Sequence, residues 1–210
     1  NKFIHLSSLG IEDAVESQYA QSKLDGEKKI TKNFDRYIII KPSIVYSVDD
    51  KFTTNFMSLL KILPIMPIYF EGKTKFSPIH VTDLVDIICK LIESKNKKLI
   101  LECVGPEVFT FKQILEKLLY SINKKRLLVP LPLTLAKISA KILQLFPKPL
   151  LTEDQLNLLK YDNCLSGKYT NNFDLGFKTN KKFEEEISKY SYNWRTGGQF
   201  AKDNNLGNIK

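Results

Sequence analysis

Short apolar runs alternate along this chain with stretches of helical period, and the first three predict a β-α-β unit. Phe3, Ile4, His5 and Leu6 form a run that ends at Ser7 and Ser8. A polar, helix-compatible stretch through Tyr19 and Lys23 follows. A second run, Tyr37 to Ile40, is closed by Lys41 and Pro42. Two short strands joined by a crossover helix are the natural reading, and such strands are parallel. Ligands of parallel sheets bind beyond the carboxyl ends of the strands. Ser7, Ser8, Pro42 and Ser43 lie at those ends.

Further along, residues 54–63 have a helical pattern, which Pro64 and Pro67 stop. Two short extended pieces, residues 68–70 and 78–80, flank Glu71 to Lys73. Thr82 or Asp83 is placed to cap a helix carrying Leu84, Ile87, Ile88, Leu91 and Ile92 at helical spacing. Residues 98–104 form the next strand, ended by Gly105 and Pro106. Thr110 opens a helix carrying Ile114, Leu118 and Leu119. The strands at 2–7, 37–41 and 98–103 are therefore expected to lie parallel in one sheet, with its remaining edge exposed and apolar.

Residues 126–151 differ in character. Leu135, Ile138, Ile142, Leu145 and Phe146 make an apolar stripe, with Lys137 and Lys141 on the opposite side and prolines at both ends. Such a segment packs on its own domain or lies at a membrane interface, where lysines meet anionic lipid. Residues 152–162 and 181–190 read as helices, and the polar, glycine-bearing stretch from Asn193 as a mobile tail.

The candidate chemistry sits on the first helix. Tyr19 and Lys23 are four residues apart, so they share a helix face. A nearby ammonium stabilises a phenolate, and a serine hydroxyl can hold the oxygen that a tyrosine protonates or deprotonates. That combination suits a carbon that exchanges hydride with a nicotinamide. The same spacing also occurs on ordinary exposed helix faces, and Lys23 and Glu27 can form a surface pair.

With these elements in place, the chain resembles the second half of an extended or atypical short-chain dehydrogenase/reductase. The resemblance rests on a strand ending in Ser7-Ser8, on Tyr19 and Lys23, and on the run Lys41-Pro42-Ser43-Ile44-Val45-Tyr46. The segments 50–52, 75–83, 102–106 and 131–133 make it similar to the NAD(P)-binding accessory subunits of respiratory complex I and their bacterial relatives. The resemblance covers about residues 2–177. The fold class it implies is α/β, the carboxyl-terminal part of a Rossmann-like NAD(P)-binding fold with a smaller substrate lobe. Its divisions are a Rossmann half with the Tyr/Lys helix (1–46), a lobe insertion (47–81), a return to the Rossmann domain (82–124), a helical lobe (125–192) and a tail (193–210).

The resemblance implies that Tyr19 is the general acid/base. Lys23 holds the nicotinamide ribose, and Ser8 is the substrate-binding serine with Ser7 as its alternate. The cofactor contacts are then Ser7, Tyr19, Lys23, Pro42, Ser43, Ile44 and Val45, and the cofactor is NAD or NADP, NADP ahead of NAD. With two histidines in the sequence, His5 and His80, no metal is expected. The glycine-rich phosphate loop of the family is absent from this sequence, where Gly10, Gly26, Gly72 and Gly105 stand alone. The expectation is an amino-terminally shortened piece. Ser47 stands where the family has glycine, which bears on the local turn.

The resemblance leaves turnover open. One reading is a nucleotide-holding subunit with a structural or assembly role in NADH:ubiquinone oxidoreductase, near the quinone site. It would contact other subunits and a membrane surface through 126–151, on the matrix side of the mitochondrial membrane or the cytoplasmic side of a bacterial one. The other is a soluble NAD(P)-dependent reductase, epimerase or dehydratase acting on a sugar nucleotide or a quinone-pathway intermediate.

Composition changes this picture little. With 43% hydrophobic residues in 210, a sizeable core can form. The net charge of +9 suits an anionic partner such as a cofactor phosphate, but the lysines are scattered and no RNA-binding module is visible, so nucleic acid is not expected. Cys89, Cys103 and Cys164 fit neither a zinc site nor a disulfide framework. Cys89 and Cys103 read as buried thiols in a reducing compartment.

Overall fold

The computed structural model describes residues 2–132 and 153–200. The amino-terminal pattern folds as the sequence predicts. Strand β1 (Phe3–Leu6), helix α1 (Gln18–Asn33) and strand β2 (Tyr37–Pro42) form a β-α-β unit. Strand β1 pairs parallel with β2, and β2 pairs parallel with a later strand, Lys98–Cys103. β1 is the outer strand of this sheet as described, with Phe3 and Leu6 partly exposed.

After β2 the chain enters a lobe of short elements. These are β3 (Val45–Tyr46), α2 (Lys51–Ile62), β4 (Ile65–Ile68), β5 (Lys75–Phe76) and β6 (Ile79–His80). Helix α2 starts three residues earlier than its apolar pattern suggests, because the Asp50 carboxylate accepts a hydrogen bond from the Thr53 amide at 2.6 Å. Helix α3 (Val81–Glu93) and strand β7 (Lys98–Cys103) return the chain to the sheet. The cap of α3 is His80, not Thr82 or Asp83. Its Nδ1 accepts from the Thr82 amide at 3.3 Å.

Strand β8 (Phe109–Thr110) and helix α4 (Phe111–Ser121) follow, and Thr110 closes a capping box with Gln113. Strand β9 (Leu127–Pro130) pairs parallel with β4. Thus the first residues of the apolar 126–151 segment form a strand, and Leu128 and Leu131 pack against the lobe's core. The amphipathic stripe at 135–146 lies outside the described residues. Helix α5 (Glu153–Leu158), strand β10 (Thr170–Asn171) and helix α6 (Phe183–Ser188) follow among the described residues.

Two expected groupings change. The 82–124 division groups helix α4 with the sheet, yet Phe111, Ile114, Leu115 and Leu118 bury against α2 and α6 in the lobe. Strand β10, within the expected helical lobe, instead joins the sheet beside β7. The tail also starts later than Asn193. A 3-10 turn at Ser191–Trp194 stacks Trp194 edge-on to Tyr190 at 6.5 Å, and Arg195 donates to the Ser121 carbonyl at 2.8 Å. Residues 201–210 lie outside the described residues.

Strand alternation divides β2 between two faces. Ile38 and Ile40 meet Leu84, Ile87 and Leu91 of α3, together with Leu101 and Cys103 of β7. Ile39 and Lys41 point to the α1 side, and all four residues from Ile38 to Lys41 are fully buried. Burial pushes the Cys103 thiol up to about 12. Cys89 is exposed, contrary to expectation, because it lies on the wet side of α3.

The turn after β7 is crowded. A Cβ on Gly105 would stand 1.8 Å from the Pro78 carbonyl oxygen, a backbone atom that cannot swing aside. Gly105→Ala is expected to lower unfolding free energy by about 1–3 kcal/mol or more in urea denaturation, the usual range for overpacking.

A second prediction concerns acid. Burial holds His80 below its ordinary value, reinforced by Lys181 and Lys189 and opposed by Glu186 and Asp83. A depressed folded value favours the neutral ring. Its contribution is therefore complete above the ordinary histidine range and lost as pH falls through the folded value. His80→Asn keeps a capping acceptor that does not titrate. Its melting temperature should fall less between pH 7.5 and 5.5 than that of the parent; an identical decline would count against His80.

Candidate functional site

The carboxyl ends of β1 and β2, the start of α1 and the lobe's α5 converge at one corner. Helix α1 begins at Ser17, whose hydroxyl accepts from the Ala20 amide at 3.1 Å. A carboxylate from the lobe completes the cap. Asp154 accepts from the Gln18 amide at 2.7 Å, the Tyr19 amide at 3.3 Å and the Ser17 hydroxyl at 3.1 Å. An anion at a helix amino terminus satisfies free N–H groups and complements the helix dipole. The turn that carries Tyr19 is thus fastened to α5.

Tyr19 and Lys23 share the predicted face. The Lys23 ammonium lies 5.7 Å from the Tyr19 ring centroid and donates to the Leu6 carbonyl at 3.0 Å. Ser8 and Tyr19 both line a cavity of about 480 Å³ between the sheet's end and the lobe. Lys23 stands behind Tyr19 and does not line the cavity. The arrangement offers a tyrosine hydroxyl and a serine hydroxyl to one space, with a cation beside the phenol.

Ser7 is placed elsewhere. Its hydroxyl is buried and donates to the Glu27 carboxylate. Glu27 accepts from the Lys41 ammonium at 2.9 and 3.1 Å, and Lys41 also donates to Glu12. The Tyr169 ring lies over the same ammonium at 5.3 Å. Glu27 therefore does not make a surface pair with Lys23; it turns inward to a fully buried lysine. Burial works against the Lys41 charge, but its hydrogen bonds to Glu12 and Glu27 and their charges outweigh that and hold its pKa above the ordinary lysine value.

The Pro42–Val45 run is held by a residue that the sequence reading missed. Ser43 donates to the Asn163 side-chain oxygen at 2.7 Å, and the Ile44 amide donates to the same oxygen at 3.1 Å. Asn163 in turn donates to the Leu9 carbonyl at 2.7 Å, and its amide to the Lys75 carbonyl at 2.7 Å. The Pro42 carbonyl accepts from the Leu9 amide at 3.0 Å. Val45 pairs with Ile79 across β3 and β6 and packs on the core. Of the four residues, Ile44 lines the cavity; Pro42, Ser43 and Val45 form the frame around it.

No family model matches the chain. Similar curated proteins include the mitochondrial NADH dehydrogenase (ubiquinone) 1 alpha subcomplex subunit 9 of Dictyostelium discoideum. It is 26% identical over 203 residues, covering 95% of this chain and 56% of that protein. The mitochondrial 40 kDa subunit of NADH-ubiquinone oxidoreductase from Neurospora crassa is 22% identical over 196 residues, covering 92% and 50%. The chain is similar to these complex I subunits. It spans about half of their length.

The fold, a Rossmann-like parallel sheet with an attached lobe, is shared with solved nucleotide-sugar epimerases. UDP-glucose 4-epimerase from Thermus thermophilus, solved with NAD, superposes with a TM-score of 0.61 at 13% identity, over 92% of this chain and 64% of that one. UDP-glucuronic acid 4-epimerase from Bacillus cereus, solved with UDP-glucuronic acid and NAD, gives 0.61 at 18% identity, over 92% and 61%.

Asp154, Asn163, Lys41 and Glu12 escaped the sequence reading as site-building residues. By local pattern Asp154 is only a first-turn acid of its own helix. Lys41 was legible as a polar residue closing an apolar run, a position that alternation points to one face. Its partners lie 14 and 29 residues away, and nothing local names them.

Replacing Lys41 tests the network. Lys41→Met leaves the buried Glu27 carboxylate without its cation, and breaking a buried pair from one side costs about 3–5 kcal/mol. Urea denaturation should show a loss of that order. The triple change Lys41→Met, Glu12→Gln and Glu27→Gln should recover part of it, because no charge is then stranded. Equal losses in both would show that packing, not charge, carries the effect.

Proposed function

We propose that this chain is the nicotinamide-side half and substrate lobe of an NAD(P)-binding protein that associates with NADH:ubiquinone oxidoreductase. The observation that carries the reading is the meeting of Tyr19, Ser8 and Lys23 at the carboxyl ends of parallel strands. The kinship with complex I subunits supports the association.

The residues present fit one end of a dinucleotide. Among the described residues the Lys23 ammonium donates one hydrogen bond, to a strand-end carbonyl, which leaves donors for ribose hydroxyls. The backbone from Pro42 to Val45 is fixed by Asn163 and would pass beside a nicotinamide ring. Bound there, the nicotinamide would supply hydride exchange. Tyr19 would give or take the proton of an oxygen held by Ser8. Ser7 has no part in this, since Glu27 holds its hydroxyl. The resemblance favours NADP over NAD, and a site on the matrix side of the mitochondrial membrane.

A structural or assembly role is the first reading, because the relatives are named as subunits of a mitochondrial NADH-ubiquinone oxidoreductase. A free-standing reductase, epimerase or dehydratase is the second, favoured by the intact cavity beside Tyr19. Docking on a partner through 126–151 belongs to the same proposal.

In the full-length protein, Lys23→Ala should weaken NADPH binding about tenfold, or ~1.4 kcal/mol, by isothermal calorimetry. A charge-assisted hydrogen bond to the ribose is worth that much. Unchanged affinity would reject the cofactor role of Lys23. NADH binding as tight as NADPH would reject the NADP preference.

A further inference from the structure

The cavity beside Tyr19 has walls ill suited to the sugar nucleotides of the structural neighbours. Phe52, Phe56, Leu59, Phe76, Leu158 and Leu159 supply its apolar surface. Phe52 and Phe56 meet edge-to-face at 5.0 Å, and Phe52 lies 6.2 Å from Phe76, so the wall is a packed aromatic cluster. A nucleotide diphosphate carries two negative charges and needs several converging donors, most often arginine forks. Among the described lining residues there is no arginine, and Lys51 is the one cation.

The polar groups at the cavity fall into three sets, one of which, Lys51, Asn55 and Gln155, stands on the lobe's helices α2 and α5. Asn163 and Tyr161 are occupied by the scaffold: Asn163 bonds Leu9, Ser43 and Ile44, and the Tyr161 hydroxyl donates to Glu16 at 3.0 Å. Tyr19 and Ser8 remain at the sheet end, where the proposed chemistry lies. Ligand pockets of this kind, a few hundred Å³ of apolar wall with few convergent polar groups, take a largely apolar molecule and orient it by those groups.

We propose that this cavity binds an uncharged, largely apolar molecule with a single carbonyl or hydroxyl oxygen. Its ring or chain lies against the Phe52, Phe56 and Phe76 wall, and its oxygen is directed to Tyr19 and Ser8. Nucleotide sugars are excluded by the cost of burying a diphosphate against that wall. The proposal rests on the reading of Tyr19 and Ser8 as the polar end of the site.

The probe is prodan, an uncharged naphthyl ketone whose emission moves to the blue in apolar surroundings. Titrated into the full-length protein, it should show a saturable blue shift with one site per chain. Asn55 is exposed on α2 and lines the cavity, so Asn55→Trp fills the space from its rim without entering the core. It should weaken prodan binding at least tenfold. Gln155→Trp does the same from α5 and serves if the first variant loses its circular dichroism. UDP-glucose should not displace the probe, and 1-octanol should.

Absence of a saturable shift overturns the proposal. So does equal binding by both folded tryptophan variants, which would place the probe elsewhere on the surface. Displacement by UDP-glucose and not by 1-octanol would return the site to the nucleotide-sugar class. NADPH affinity is read separately by calorimetry, so failure of the cofactor reading and failure of this one are distinguishable.

Discussion

A fully buried lysine organises the site. Lys41 stands near the end of the central strand β2, where a charge is costly unless paired and hydrogen-bonded. Its partners come from different pieces of chain: Glu12 from the loop after β1, and Glu27 from the third turn of α1. Ser7, from the end of β1, donates to the same Glu27. One ammonium thus joins strand end, connecting loop and helix. Ser8 adjoins Ser7, and Tyr19 and Lys23 lie on the tethered helix. The relative placement of the three candidate groups depends on this contact. A buried ion pair is a weak source of net stability, since desolvation offsets much of the attraction. Its value here is positional, because the penalty for separating any partner is steep.

The lobe secures the same corner from the other side. Asp154 caps α1, Lys160 and Tyr161 bind Glu16, and Asn163 ties Leu9 to Ser43 and Ile44. All four lie within eleven residues, so one short stretch after α5's start supplies the opposite wall of the cavity and orients its rim. The cavity is a product of this docking, with the sheet contributing Ser8 and Tyr19 and the lobe contributing the aromatic wall. A fold shared with sugar-nucleotide epimerases need not share their ligand, because fold and site chemistry vary independently.

Much of the architecture was legible from local pattern. Apolar runs such as 37–40 bury on both faces of a parallel sheet, and that is why they read as strands and why their parallel order followed from the helix between them. The spacing of Tyr19 and Lys23 decided that they share a face, because helical geometry is independent of context. Thr110 announced a helix start by the same kind of local rule. The sequence also determined, through Ser8, Tyr19, Lys23 and the run from Lys41 to Tyr46, which family the chain resembles.

Tertiary structure alone decided what those groups touch. Ser7 and Ser8 are adjacent and alike in sequence, yet strand alternation turns Ser7 to a buried carboxylate and leaves Ser8 at the cavity. Glu27 sits one turn from Lys23, but the buried Lys41 competes for it and wins, since an unpaired charge in the core costs more than a solvated one outside. Helix α4 looked like a sheet helix because its apolar face does not name its partner, and it packs in the lobe. Asn163 and Asp154 act across more than a hundred residues of chain. Contacts of that separation leave no periodic trace in a single sequence, because they are set by how packed elements meet.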